Sequence, residues 1–406
     1  MRLHSDMDLI VILVAGMDTP TILTMTGMKG FDMHNNFKLS WQTKGKYATE
    51  LFTEKAEELI LMHNESKPLF LMLTHLAAHT GKGGGLEVPD ILKNDEEFAY
   101  IKNRNRRLYA GMVKELDNSV GSIIQTLSKK GILQNAIVVF FSDNGAPSEG
   151  AHLYNNYGSN WPLRGQKTTV LEGGVRVPAI IYTSILKKYG IVSNSLIHVS
   201  DLMPTLYAAA GGDVEDLGKV DGVNHWPVLT ETETSKRSTL LINIDEVYNS
   251  SAIIGKNGRY KLVNGSTTYL ETDEGFYGED GLNDGNPVYN ISAILNSPVN
   301  QAIRGNLILR KIKKIRKKTV LGNCRKHLSK YQSCRYNDFC LFDLVRDPCE
   351  TTNIAKKFPL IVKKLERKLI KYWNNMQPQK DIFIDPRANP SSYNNTWYTW
   401  LDQPKG

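Results

Sequence analysis

The chain has 406 residues, of which 41% are hydrophobic and 23% charged, the proportions of an ordinary globular protein with room for one large domain and a smaller one. No apolar run approaches the roughly 18 residues that a membrane-spanning helix needs, so no membrane span is predicted. The formal net charge is +8. No zinc-finger spacing, RNA-binding motif or basic recognition helix accompanies that charge, so a nucleic-acid partner is not expected.

The first two-thirds of the chain alternate predicted strands and helices. Short apolar runs rich in Val, Ile and Leu predict buried strands at residues 9–16, 69–73, 137–141 and 179–182. Apolar residues at helical spacing predict helices over residues 47–63 and 106–130, and a third helix that begins at Ser200 and Asp201. This alternation predicts an α/β fold with a mostly parallel sheet and helices on both of its faces.

Residues 9–16 also resemble the apolar core of a secretion signal. Asp6 and Asp8 precede them, however, and no clean small-x-small cleavage site follows. The run is therefore interpreted as a buried parallel strand, and no signal peptide is predicted.

From about residue 234 the pattern changes to short strands separated by Gly, Asn and Asp turns, at residues 240–244, 252–254 and 260–263. A final amphipathic helix is predicted over residues 358–376. These elements predict a smaller α+β subdomain at the C-terminus. The predicted domain bounds are 1–233 and 234–406.

Much of the positive charge lies in one run between Arg310 and Lys318, RKIKKIRKK. A block of like charges is usually a solvated or disordered loop, and that state is expected here. The alternative interpretation is a landing patch for a polyanion, such as a sulfated glycan or a nucleic acid.

The cysteines predict a disulfide-stabilised segment in an oxidising compartment. All four, Cys324, Cys334, Cys340 and Cys349, fall within 26 residues. No CxxC pair is present, which disfavours a zinc site and favours two disulfides with three possible connectivities. Five Asn-x-Ser/Thr sequons point the same way, at Asn64, Asn249, Asn264, Asn290 and Asn394. Together they predict a glycoprotein of the secretory pathway.

One tripeptide carries the clearest chemical signal. A hydrophobic strand ends in Phe141-Ser-Asp143-Asn144-Gly145. Ligands of open α/β sheets bind beyond the carboxyl ends of strands, and the side-chain oxygens of Asp and Asn suit Ca²⁺ or Mg²⁺. Taken alone, Asp-Asn-Gly after a strand is more often a simple turn.

The segments that follow resemble the sulfatase family. They read Trp161-Pro-Leu-Arg-Gly-Gln-Lys167 and Leu171-Glu-Gly-Gly-Val-Arg176, and they are most similar to arylsulfatase B-like enzymes. Further segments agree in the same order, at residues 109–113 with Asp117, 198–201, 221–226, and 342–343 with 347–348. The resemblance covers roughly residue 30 to the end of the chain.

The resemblance implies an alkaline-phosphatase-like fold and hydrolysis of sulfuric esters in a lysosomal or secreted protein. The implied substrates are sulfated sugars of glycosaminoglycans or aryl sulfates. Members of the family convert a Cys of a Cys-x-Pro-x-Arg motif into formylglycine, which attacks the ester while a divalent cation, usually Ca²⁺, holds the sulfate oxygens. By motif, Asp143 and Asn144 match metal ligands and Lys167 matches the lysine that touches the sulfate. His79 matches the histidine that serves the leaving group, and His75 is expected to be an ordinary hydrogen-bonded loop histidine.

These residue types suit the chemistry that the resemblance implies. A sulfate ester undergoing cleavage carries charge on its sulfate oxygens and on its leaving oxygen. A cation and a lysine stabilise the first, and a histidine can protonate the second.

The resemblance is incomplete where the family keeps its nucleophile. No cysteine precedes Cys324, and residues 14–18 read VAGMD where an Asp pair is expected, with Asp18 as a possible displaced remnant. The family's Gly-Lys-x-His segment is missing too. An internal deletion, an alternative transcript or a faulty gene model would each produce this pattern. Ca²⁺ needs roughly six to eight oxygens and is expected to bind weakly if at all. Turnover is expected to be negligible, because losing a nucleophile costs on the order of 10⁶-fold in rate.

Two other functions stay open at this point. A non-catalytic protein would bind sulfated glycans through Lys167, His79 and the basic run. Another enzyme of the alkaline-phosphatase-like superfamily would act on phosphate esters at a two-metal site rich in His and Asp. No His-rich pair of that kind lies around Asp143, which disfavours the second alternative.

Overall fold

The computed structural model of this chain describes residues 8–11, 28, 30–36, 38–81, 84–148, 156–186, 190–230, 233–267, 274–276, 287, 289–303, 309–319, 321, 324, 331–334, 338–378 and 385–397. The first part of the chain contains six strands and six α-helices within these ranges. They are β1 (Asp8–Val11), β2 (His34–Asn35), β3 (Lys38–Leu39), α1 (Ala48–Met62), β4 (Leu71–Met72), α2 (Ile91–Glu97), α3 (Arg104–Lys130), β5 (Ala136–Phe141), α4 (Glu172–Val175), β6 (Ala179–Thr183), α5 (Leu202–Ala209) and α6 (Trp226–Leu229).

A four-stranded sheet lies at the centre of this part, in the order β4-β1-β5-β6. Strand β1 pairs in parallel with both β4 and β5, whereas β6 runs antiparallel along the edge of β5. The predicted α/β fold with a mostly parallel sheet is therefore confirmed. The remainder of the predicted strand at residues 9–16, beyond β1, lies outside the described residues.

Helices cover both faces of the sheet because alternate residues of β5 point to opposite sides. On one face, Ala136 and Val138 pack with buried residues of α1 and α3, including Ile60 and Leu127. On the other face, Ile137 and Val139 pack against Leu206, Ala209 and Trp226 of α5 and α6. The local sequence sets the ends of α3: the side chain of Asn103 caps its first turn, and Gly131 ends it in a left-handed conformation.

The second part of the chain contains the remaining described strands and helices. They are β7 (Leu240–Asp245), β8 (Ser250–Gly255), β9 (Tyr260–Asn264), α7 (Ile291–Leu295), α8 (Pro298–Ala302), α9 (Leu309–Thr319), β10 (Phe339–Asp343) and α10 (Pro359–Trp373). Strands β10-β9-β8-β7 form an antiparallel sheet, which agrees with the predicted α+β subdomain. The domain boundary near residue 234 stays a prediction.

Each face of this second sheet has a different partner. On one face, Ile253, Leu262 and Leu341 pack against Leu365 and Leu369 of α10. On the other face, the sheet packs against Val170 and Leu171 of the first part, together with Cys334 and Cys340. The segment that carries the sulfatase-like motifs therefore packs directly against the second sheet.

The expectation of a solvated or disordered loop for the basic run is wrong, because residues 309–319 form helix α9. Lys and Arg are good helix formers, and an apolar residue that packs against the rest of the chain helps to hold a run of them helical. Ile312 is buried and is such a residue. Ile315 lies one turn further along the same side.

The prediction of two disulfides is confirmed, and the fold selects one of the three connectivities. Cys324 bonds to Cys349, and Cys334 bonds to Cys340. Among the described residues, every helix is too short or too polar to cross a lipid bilayer.

Candidate functional site

Asp143 and Asn144 lie at the carboxyl end of β5, as the sequence predicted. Asp143 is exposed, and Asn144 is half-buried beside it. The Asn144 side-chain amide donates a hydrogen bond to the Asp143 carboxylate, and the Ser142 hydroxyl donates to the backbone oxygen of Asn144 at 3.1 Å. The two side chains thus form a small polar group that offers one carboxylate and one amide oxygen.

His79 and Lys167 meet although 88 positions separate them in the sequence. The Nζ of Lys167 lies 3.4 Å from Nε2 of His79. The other ring nitrogen of His79, Nδ1, lies 2.9 Å from the backbone oxygen of Thr80. A carbonyl oxygen only accepts, so the Nδ1 carries the proton of the neutral ring and Nε2 accepts from Lys167. Both side chains are half-buried.

Backbone and amide hydrogen bonds tie the loops around this pair to the loop after β5. Asn156 donates from its side chain to the backbone oxygen of Ala78 at 3.2 Å, which holds the histidine loop. Gln166, next to Lys167, accepts from the backbone N–H of Ser148 at 3.0 Å. The His79–Lys167 pair is therefore fixed to the same loop that begins at Asp143. Within the described residues, neither Asp143 nor Asn144 forms a hydrogen bond with the pair.

Close backbone packing positions the loop after β5. The N–H of Gly145 donates to the oxygen of Gly174 at 2.9 Å. A Cβ placed on Gly145 would lie well inside van der Waals contact of the backbone oxygen of Gly173. The Asp-Asn-Gly and Glu-Gly-Gly motifs are thus in direct contact, and glycine is needed there because nothing larger fits.

Arg164 of the Leu-Arg-Gly segment is a structural residue, which the sequence did not reveal. Its side chain is fully buried and forms an ion pair with Glu274 at 3.0 Å. It also donates to the backbone oxygens of Glu350 and Gln332, at 2.6 and 3.2 Å, and it stacks over the ring of Tyr331. Burial lowers its pKa, and the charges of Glu274 and Glu350 oppose that shift. Arg164 therefore ties the motif segment to the C-terminal part of the chain.

Glu172 of the Glu-Gly-Gly motif is also buried, in a second charge cluster. Lys261 on β9 lies 2.7 Å from Glu172 and 2.8 Å from Glu350, and the backbone N–H of Glu172 donates to Glu350 at 2.7 Å. Burial and the neighbouring charge of Glu172 raise the pKa of Glu350, against the attraction of Lys261. Burial also acts on Glu172, but Lys261 and Arg176 outweigh it and lower its pKa. In the sequence, only the apolar residues Val170 and Leu171, which directly precede Glu172, could have indicated that its charge is buried.

A third buried cluster lies where α5 begins. Asp201 is fully buried and accepts hydrogen bonds from the backbone N–H groups of His198 and Val223, at 2.8 and 2.7 Å. Arg237 donates to it at 2.7 Å, and Nε2 of His225 lies 3.2 Å away. Burial opposes ionisation of Asp201, but these hydrogen bonds outweigh it and hold its pKa well below the ordinary value. The sulfatase-like segments at residues 198–201 and 221–226 therefore meet at one ionised carboxylate.

Comparison with known proteins identifies the family. Residues 14–212 match the family model for sulfatases. The chain belongs to the sulfatase family. Mouse arylsulfatase J is 30% identical over 93% of this chain and 57% of its own length. Mouse N-acetylgalactosamine-6-sulfatase is 31% identical over 50% of this chain and 37% of its own length. This sulfatase chain thus spans less than two-thirds of the length of these curated relatives.

Solved structures agree with the fold of this sulfatase. The crystal structure of Ps i-CgsB matches with a TM-score of 0.54 at 22% identity, over 91% of this chain and 72% of that one. The PsFucS1 sulfatase from Pseudoalteromonas sp. matches with a TM-score of 0.53 at 19% identity, over 88% and 59%. At these identities the likeness concerns the fold alone, and it confirms the alkaline-phosphatase-like α/β class.

The described residues of this sulfatase do not by themselves fit the Ca²⁺ and formylglycine that the family uses. Among them, no group of three or more His, Cys, Asp or Glu side chains could hold a metal ion. Asp143 and Asn144 offer two oxygen ligands, whereas Ca²⁺ takes roughly six to eight. All four cysteines are in disulfides. Asp18 and the rest of residues 14–18 lie outside the described residues.

Proposed function

We propose that this sulfatase binds sulfuric esters at the His79–Lys167 pair and is of the arylsulfatase B type. Its substrates in this proposal are sulfated sugars of glycosaminoglycans, or aryl sulfates in an assay. One observation carries the proposal: Nζ of Lys167 lies 3.4 Å from Nε2 of His79, on loops bonded to the loop that follows β5. The name of the relative N-acetylgalactosamine-6-sulfatase, which specifies a sulfated amino sugar, supports the choice of substrate class.

The charges of the pair suit a sulfate group. Lys167 is a cation whose contact with His79 can be exchanged for hydrogen bonds to an anion, and charge-assisted bonds of that kind are stronger than neutral ones. In the proposed arrangement Lys167 neutralises the sulfate oxygens. His79, whose ring is oriented by the backbone oxygen of Thr80, serves the leaving oxygen in its protonated form, in which Nε2 also carries a proton that it can give up.

We propose that Asp143 and Asn144 are part of a weak divalent cation site and that these 406 residues alone turn substrate over negligibly. No cysteine precedes Cys324, and the four cysteines present are bonded in pairs, so none is available to become formylglycine. Removing a nucleophile costs on the order of 10⁶-fold in rate, whereas ester binding depends on groups that are present. In this proposal the protein is a lysosomal or secreted glycoprotein, since its sequons and disulfides suit an oxidising compartment.

Binding of 4-nitrophenyl sulfate, measured by calorimetry against 4-nitrophenol, tests the proposal. The sulfate ester should bind and the phenol should not. Lys167→Met and His79→Asn should each weaken binding of the ester about tenfold or more, the effect of losing one charge-assisted hydrogen bond. Asn at position 79 keeps a donor for the Thr80 oxygen but lacks the atom that faces Lys167. Lys219→Met, at an exposed position, is the matched control and should bind as the wild type does.

Two results would contradict the proposal separately. If Lys167→Met and His79→Asn bound the ester as tightly as Lys219→Met, His79 and Lys167 would not be part of the binding site. Robust, chelator-sensitive release of 4-nitrophenol by the wild-type chain would overturn the statement on turnover and leave the binding proposal in place.

A further inference from the structure

Helix α9 carries the largest concentration of charge in the described part of the chain. Seven of its eleven residues are Lys or Arg, and none is acidic. Six of the seven are exposed, at Arg310, Lys313, Lys314, Arg316, Lys317 and Lys318. Among the described residues, no carboxylate forms an ion pair with these six. We propose that α9 is a binding site for a sulfated glycosaminoglycan chain, in addition to the ester-binding pair His79–Lys167.

The cations of α9 form one continuous face. At 100° per residue, Arg310, Lys313, Lys314, Lys317 and Lys318 fall within an arc of about 140°. Ile312, which is buried, lies on the opposite side of the helix. The face extends about 12 Å along the helix from Arg310 to Lys318, at 1.5 Å per residue. A face of this shape matches a linear polyanion better than a compact ligand with a single charge.

Within the part of the chain that the structure describes, no ion pair relieves the repulsion between the cations of this face. Pairs of like charges four residues apart destabilise a helix, and Arg310–Lys314, Lys313–Lys317 and Lys314–Lys318 are such pairs. An anionic chain that lies along the helix would place negative charge between them. Because the ligand removes this repulsion only in the folded helix, its binding should also stabilise α9.

The apolar side of α9 is already in use. The side chains of Ile315 and Lys311 fill the space that a Cβ at Gly190 would occupy, and the guanidinium of Arg316 lies 3.5 Å from the ring centre of Tyr289. A helix that inserts into a membrane surface, or into the groove of a partner protein, needs a free apolar side. With Ile312 buried and Ile315 half-buried, α9 exposes one large apolar side chain, Leu309 at its first position, beside its six cations.

Among polyanions, a sulfated glycan fits this protein best. The chain belongs to the sulfatase family, and its disulfides suit compartments in which sulfated glycans are found. This choice of polyanion rests on the proposed function, in which sulfated sugars are the substrate class. In this arrangement α9 holds a polymer by its repeated sulfates, while the His79–Lys167 pair engages a single sulfate group.

Heparin fragments of defined length test the inference, with affinity measured in 0.15 M salt and over a range of salt concentrations. The variant Lys313→Gln/Lys314→Gln/Lys317→Gln/Lys318→Gln should bind heparin at least about tenfold more weakly and with a smaller salt dependence, since fewer counterions are released. Gln keeps the helix propensity of Lys, so the helix should remain. The control Lys356→Gln/Lys363→Gln/Lys364→Gln/Lys371→Gln removes the same charge from exposed positions at and beside α10 and should bind as the wild type does.

Other probes decide the class of ligand. Hyaluronan, which has carboxylates but no sulfate, duplex DNA and vesicles of anionic lipid should each bind more weakly than heparin at equal salt. Equal losses of heparin affinity in the α9 and α10 variants would show that α9 is not the binding site. Equal or tighter binding of hyaluronan, DNA or vesicles would overturn the choice of a sulfated glycan. Binding of 4-nitrophenyl sulfate by the same variants separates the two proposals, because loss of heparin binding at α9 should leave ester binding unchanged.

Discussion

Two histidines four residues apart in the sequence have different environments. His79 is half-buried and faces Lys167, whereas His75 is fully buried beneath α3. Nε2 of His75 meets the hydroxyl of Ser119 at 3.0 Å, and its Nδ1 has no hydrogen-bond partner among the described residues. Burial lowers the pKa of His75 to about 4. His75 is thus a hydrogen-bonded loop histidine, as the sequence predicted, but only at one of its nitrogens.

The buried His75 predicts a loss of stability in acid. The unfolded chain binds a proton there below about pH 6.5 and the folded chain only near pH 4, so the free energy of unfolding should fall between these values. The loss attributable to this residue is about 3 kcal/mol. His75→Gln keeps a polar group for Ser119 without titrating, and urea unfolding at pH 7 and pH 4.5 should show a smaller pH dependence than in the wild type.

His63→Gln is the control for that measurement. His63 is half-buried at the end of α1, where its Nε2 meets the backbone oxygen of Lys67. A change in pH dependence that appears in His75→Gln and not in His63→Gln is assigned to His75. An unchanged pH dependence in His75→Gln would show that His75 is not the residue responsible.

At the scale of elements, contacts between neighbouring turns and strands explain most of the agreement between sequence and structure. Helices predicted at 47–63 and 106–130 were found as Ala48–Met62 and Arg104–Lys130, because apolar spacing and capping residues are local signals. Helix α9 is the exception. Its charge predicted a loop, and the burial of Ile312 against the rest of the chain, which the local sequence does not reveal, made it a helix.

The contact between the loop after β5 and α4 makes Gly145 sensitive to substitution. Gly145→Ala should lower the free energy of unfolding by about 1–3 kcal/mol, the usual cost of overpacking, because the added Cβ meets the backbone of Gly173. Thermal unfolding measures the change. Gly121→Ala, within helix α3, is the matched control. A Cβ added at Gly121 would lie 3.4 Å from Pro298 of α8, which is an ordinary van der Waals contact. This substitution should be neutral or stabilising, because Ala favours a helix. Equal destabilisation by both would contradict this account.

At the scale of the whole molecule, buried charges join the first part of the chain to the second. Arg164 and Glu172 come from the motif segment, whereas Lys261, Glu274 and Glu350 come from beyond residue 234. Glu350 directly follows Cys349, which is bonded to Cys324. The family motif thus has a structural function besides the one proposed for Lys167: it fixes the position of the second sheet relative to the first.

Removal of Lys261 should therefore destabilise the whole molecule. Lys261→Met leaves the carboxylates of Glu172 and Glu350 buried without their shared cation, which should lower the free energy of unfolding by about 3–5 kcal/mol at pH 7. Adding Glu350→Gln removes one of the stranded charges and should restore part of the loss. Urea unfolding of both variants measures these effects. Lys363→Met, exposed on α10, should be close to the wild type, and a Lys261→Met variant as stable as Lys363→Met would contradict the prediction.

The sequence by itself determined the α/β class, the order and approximate ends of most elements, the sulfatase-like motifs and the presence of two disulfides. These features depend on residues within a few turns of each other, or on the order of short segments along the chain. The tertiary structure alone decided which cysteines pair, that Arg164 and Glu172 are buried, and that Lys167 lies against His79. Each of these depends on segments far apart in the chain that come together only when the sheets pack, and no local pattern encodes that packing.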